Sequence, residues 1–173
     1  MSVLSGYTCV LQRIFSKTAI LRQIVKQLAA ELALLTKASR TAHADASDEQ
    51  NKAEHQYDTR GLETAYLASA QARQATETEE ALELYQSLKP QKFTDQTSIA
   101  LTALVELESN GARRHYFIGP SRGGMEIRHN KTEILVITPE SPLGAQLVGK
   151  HAGDRIKLQT RGPAQDLRIV SVS

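Results

Sequence analysis

Three carboxylates fall close together in this 173-residue chain: Asp45, Asp48 and Glu49, in the stretch AHADASDEQNKAEHQY from Ala42 to Tyr57. Such a set has two ordinary uses. The unpaired N–H groups and the macrodipole of a helix favour negative charge in its first turn. Ser47, with Gln50 three residues on, reads as the N-cap and box partner of a helix beginning there. That start would put Asp48 and Glu49 in the first turn and Asp45 in the bend before it. The other use is as a ligand set for a metal ion, carried at the end of a long rod. The local residues are compatible with both, and His43 adds too little to decide.

The remaining residue types narrow the chemistry. A single cysteine, Cys9, excludes an internal disulfide and a cysteine-built zinc site. With no Trp and aromatics at 5%, the chain offers no stacking platform for bases and no large aromatic pocket. No run of about 18 apolar residues is present to span a membrane. A net charge of +2 does not announce a nucleic-acid binder. Its distribution is more telling: residues 1–41 carry six Lys/Arg and one Glu (+5), residues 42–83 three and ten (−7), residues 96–173 ten and seven (+3). A basic segment followed by an acidic one suits two antiparallel helices.

The elements that would hold the carboxylates follow from periodicity. Residues 1–17 lack a clear period and are set aside as an extension of unclear role. From Thr18 to about Ala42, Leu21, Leu28 and Leu35 recur every seven residues, with Ile24, Val25 and Leu32 beside them. No Gly or Pro interrupts, so a rod of about 25 residues is expected, about 37 Å long. A second rod runs from Asp48 towards Leu88. Its stripe is thinner (Ala53, Tyr57, Leu67, Ala70, Leu82, Tyr85, Leu88) and rich in alanine, which favours helix but buries little area. Together they read as an antiparallel coiled-coil hairpin over 18–89, and Lys89-Pro90 ends it.

After a linker at 90–96 the period shortens. Ser98–Glu108 alternates, and Ser109-Asn110-Gly111 is a hairpin turn before Arg114–Ile118. Gly119–Gly124 reads as a loop. Glu133–Thr138, Arg155–Gln159 and Leu167–Val172 are further strands, with Arg161-Gly162-Pro163 joining the last two. Ser141 would cap a short helix that starts at Pro142 and stops at Gly149. The fold class expected is α+β: the helical hairpin, then a domain over 97–173 of about five antiparallel strands packed on one short helix. Arg113, Arg114, Arg122, Arg128 and Lys131 give that domain a basic strip, either a solvated face or a docking surface.

The segment Ser141-Pro142-Leu143-Gly144-x-x-Leu147-x-Gly149-Lys150-x-x-Gly153-Asp154 resembles the C-terminal signature of the bacterial transcript-cleavage factors GreA and GreB. The order of parts agrees as well. The resemblance implies an FKBP-like C-terminal domain and RNA polymerase as partner, with Ser141, Pro142, Leu143, Arg113 and Arg114 on the docking side. It implies that the coiled coil enters the secondary channel of the polymerase. There, tip carboxylates help to hold a Mg²⁺ shared with the active site, and the polymerase cuts its own backtracked RNA. The factor would be no enzyme and would carry no cofactor of its own. It would meet the 3′ end of nascent RNA only indirectly, as a cytoplasmic monomer. The family's tip pattern, Asp-Leu-x-Glu-Asn-Ala-Glu-Tyr, maps its first carboxylate onto Asp45 and its second onto Asp48 or Glu49, with Ala46 in place of the Leu. The glycines at 144, 149 and 153 would relieve crowding or supply positive φ. Relatives of this architecture that bind the channel and inhibit, and a dimerising interaction protein, are the alternatives. A peptidyl-prolyl isomerase is disfavoured, since Tyr116 and Phe117 are the domain's only aromatics.

Overall fold

The computed structural model describes residues 16–47, 59–159 and 164–173. Contacts within the chain divide it into two compact units, one made of residues 25–86, the other of residues up to 24 together with those from 87 onward.

The first unit is the helical hairpin. Helix α1, Lys17–Ser47, has 31 residues, of which those from Val25 on belong here. It is longer than its heptads announce, about 46 Å, because nothing after Ala42 breaks a helix before Ser47. This corrects the placement of two residues. Ser47 closes α1 instead of capping the next helix, and Asp45 is helical rather than in a bend. Helix α2 is Thr59–Ser87; the start expected at Asp48 lies outside the described residues. The seam buries Leu28, Ala81 and Tyr85, together with Thr78, whose hydroxyl donates back to the Gln74 carbonyl at 2.7 Å.

The second unit holds a six-stranded sheet of order β3-β4-β2-β1-β6-β5. Its strands are β1 (Leu104–Ser109), β2 (Ala112–Ile118), β3 (Glu126–His129), β4 (Thr132–Ile137), β5 (Arg155–Leu158) and β6 (Gln165–Val172). Helix α3, Pro142–Leu147, packs on one face. Three features differ from the sequence reading. The first strand begins at Leu104, not near Ser98, because Thr102 takes a left-handed φ of 71° in a turn that breaks the extended run. A sixth strand, β3, appears: only its Ile127 is buried, so its alternation is too short to register. And the sheet is not wholly antiparallel, since β2 and β4 pair in parallel from His115↔Ile134 to Ile118↔Ile137. The loop after β2 carries the chain across to β3, and the β3–β4 hairpin then returns alongside β2 in the same direction.

Side chains alternate between the faces. Val105, Leu107, Tyr116, Ile118, Ile156 and Ile169 join Leu147 of α3 in one core. Each buried aliphatic side chain of this kind contributes about 1.5–3 kcal/mol. Leu104, Phe117, Ile127, Ile134 and Val136 are buried on the opposite face. The first turns of α1 lie within this unit: Gln23 Nε2 donates to the Arg128 carbonyl at 3.0 Å and Lys17 Nζ to the Gln91 carbonyl at 2.6 Å.

Candidate functional site

Of the three carboxylates, Asp45 alone falls among the described residues, at the far end of α1. Asp45 falls in its last turn, which holds no basic residue. Asp48 and Glu49 lie outside the described residues, as does the side chain of Asp45. A carboxylate at this end of a helix faces the partial negative charge of unpaired carbonyls, which disfavours it by about 0.3–1 kcal/mol. The helix-start explanation therefore does not reach Asp45. Among the described residues no group of three or more His, Cys, Asp or Glu could hold a metal ion.

The signature segment is a set of backbone devices. Ser141, in extended geometry, accepts from the Gly144 N–H at 3.1 Å, and its own hydroxyl donates to the Thr138 carbonyl at 2.7 Å. Pro142 opens the helix and is exposed; Leu143 is half-buried against the core. Gly149 has φ +84°, and its N–H reaches the Ile99 carbonyl at 2.8 Å, while Ile99 N–H returns to Lys150 at 2.8 Å. Asp154 Oδ2 accepts from the His151 N–H at 2.9 Å, closing the turn into β5 around Gly153, at φ +94°. These residues join β5 and α3 to the chain ahead of β1.

Arg113 and Arg114, neighbours on β2, point to opposite faces. Arg113 bonds Glu106 at 3.3 Å and Glu108 at 3.4 Å. Arg114 is exposed beside a cleft that Arg128, Lys131 and Tyr116 also line. Both arginines begin β2, whereas Ser141–Leu143 follow the end of the parallel strand β4. The structure thus places these five residues at two ends of the sheet.

Two charged clusters were not singled out from the sequence. Glu106 is buried, held by Arg113 and by the Ser171 hydroxyl at 3.2 Å, with His115 its cross-strand partner. Burial lowers the His115 pKa, against the pull of Glu106 and with the help of Arg113. The signal available was an acid inside the apolar run LVELE. Lys17, its Nζ 4.3 Å from the centre of the Phe93 ring, is lowered by burial to about 8.

The chain matches no protein-family profile, and no curated protein matches it. Solved structures do. It is similar to Thermus aquaticus Gfh1 at 21% identity over 85% of this chain and 92% of that one, with a TM-score of 0.37. GreA factor homolog 1 (Gfh1) of Thermus thermophilus aligns at 21% identity over 86% and 94%, TM-score 0.36. The transcription elongation factor GreA/GreB from Nitrosomonas europaea aligns at 16% identity over 56% and 78%, TM-score 0.36.

Proposed function

We propose that this chain is an elongation factor that binds RNA polymerase and inserts its helical hairpin into the secondary channel. Asp45, with Asp48 and Glu49, forms the working tip and stimulates cleavage of backtracked RNA by the polymerase. The chain is an activator and not itself an enzyme, and it acts in the cytoplasm, where the polymerase is. The observation that carries this reading is the position of Asp45, in the last turn of a helix about 46 Å long, where helix electrostatics give no reason for an acid. The capped helix at Ser141 and the Gly149–Asp154 turn support it, since they give each residue of the family signature a physical role.

The donor chemistry fits the shared ion: hard Mg²⁺ takes carboxylate oxygens and needs only one or two from protein. When bound, such an ion would stabilise charge on the oxygens of a phosphodiester under attack. The tip residues would add ligands to an ion the polymerase already holds. Ala46, where the family pattern has Leu, and Asp48, where it has Glu, favour a second reading: a channel-binding inhibitor that shares the docking and lacks the cleavage.

The test uses stalled, backtracked elongation complexes with Mg²⁺ and 3′-labelled RNA. Wild-type protein is expected to accelerate shortening of the RNA. Asp45→Ala and the double variant Asp48→Ala/Glu49→Ala should bind equally and lose the acceleration. Binding that only slows synthesis would leave the inhibitor reading, and no binding would remove both.

A further inference from the structure

Two β-hairpin tips stand side by side at one end of the sheet. β1 turns into β2 through Asn110-Gly111, and β3 into β4 through Asn130-Lys131. Because β2 and β4 are parallel, both tips lie at the same end. Pairing between the two hairpins begins only at His115↔Ile134. Ahead of it, Arg113, Arg114, Thr132 and Glu133 border a cleft of about 780 Å³. Tyr116 and Leu135, cross-strand partners, line its inner end, and Arg114, Arg128 and Lys131 its walls.

The two turns are an internal comparison. All four central residues are left-handed: Asn110 φ 51° and Gly111 φ 79°, Asn130 φ 48° and Lys131 φ 66°. This is the turn geometry that suits the twist of a hairpin, and glycine takes the second position without strain. Lysine there is strained, because its Cβ crowds the backbone at positive φ. The second hairpin thus carries a strained residue that lines the cleft. Lys131 and Arg114 are both exposed, and neither has a carboxylate within ion-pair reach among the described residues. Of the two acids lining the cleft, Glu133 is engaged by Arg128 at 2.9 Å and Glu126 is the other.

We infer that this cleft is a docking site for an extended, acidic segment of a protein partner, and that Lys131 is one of its specificity residues. Arg113 is matched by Glu106 and Glu108 and Arg128 by Glu133, so it is Arg114 and Lys131 that the lining offers to negative charge. The edges of β2 and β4 ahead of their pairing offer backbone groups to an extended chain, and the volume suits a few residues of one. Single-stranded RNA fits less well: it is held by stacking on open aromatic faces, and Tyr116 is only 9% exposed, Phe117 fully buried.

The test is a ¹⁵N–¹H shift titration of the whole chain at low salt with a short peptide alternating Glu and Leu, and separately with oligouridylate. The peptide is expected to move the amides of residues 113–116 and 131–135. Lys131→Gly and Arg114→Gln should each weaken it by about threefold or more. Lys131→Gly should also leave the melting temperature unchanged or raise it, which separates lost binding from lost folding. Shifts elsewhere, unchanged affinity in both variants, or a lower melting temperature for Lys131→Gly would overturn the inference. So would tighter binding of the oligonucleotide at the same amides. None of these outcomes depends on the polymerase reading.

Discussion

Gly144 has no room for a side chain. A Cβ built on it would lie 1.9 Å from the Thr138 carbonyl oxygen and 2.9 Å from Ser141 Oγ, the atom that caps its own helix. The obstacle is backbone, so relief requires the β4–α3 connection to move and the cap to break. Gly144→Ala should cost about 3 kcal/mol or more of stability, near the upper range for single substitutions, read as a lower urea midpoint with an unchanged slope. Read from the chain alone, the three glycines of the signature share one explanation, crowding or positive φ, and the structure divides it. Gly144 is the crowded one; Gly149 and Gly153 are left-handed, with open space where a Cβ would be. Residue type marked the positions, but the neighbour that excludes the side chain comes from a carbonyl six residues back.

At the scale of elements, signal strength followed length and burial. The heptads of α1 are long and apolar, and they announced the helix; its end was misplaced because the acids after Ala42 resemble the start of a new helix. The capped helix at Ser141 was legible because cap, proline and glycine are local chemistry. β3 was not, since four residues with one buried side chain carry almost no period. The parallel β2–β4 pairing left no mark either, because register between non-adjacent strands is set by the sheet. Of the site, the residue types point to which acids and arginines to consider, but not to the divergence of Arg113 and Arg114 or to the cleft that Lys131 shares with Arg114. The hairpin seam also holds a weakness that no pattern shows: Gln71 Oε1 is buried without a donor. An unsatisfied buried acceptor costs about 1–3 kcal/mol, so Gln71→Leu should raise the stability of the hairpin by about 1 kcal/mol, measured by chemical denaturation followed by helical circular dichroism.

The whole molecule combines two units of unequal construction. The sheet unit has a core fed from five strands and α3, whereas in α2 the large apolar residues Tyr66 and Leu67 are 70% and 60% exposed. Local opening is easiest where little apolar surface is buried. Amides of α2 between residues 63 and 77 should therefore exchange with solvent at least tenfold faster than those of β1 and β2, a gradient that hydrogen exchange measures directly. Comparable protection in both would mean that the hairpin is held by something other than its seam. The sheet has two borders, and an open border is a template on which a second chain can add a strand. At β5 the border carries Arg155 and Lys157, and charge discourages such addition. At β3 the outward carbonyl of Arg128 is already taken by Gln23, from the first turns of α1. The residues that launch the hairpin thus also shield the sheet from aggregation, and a chain trimmed of them would leave β3 open to run-on stacking between molecules.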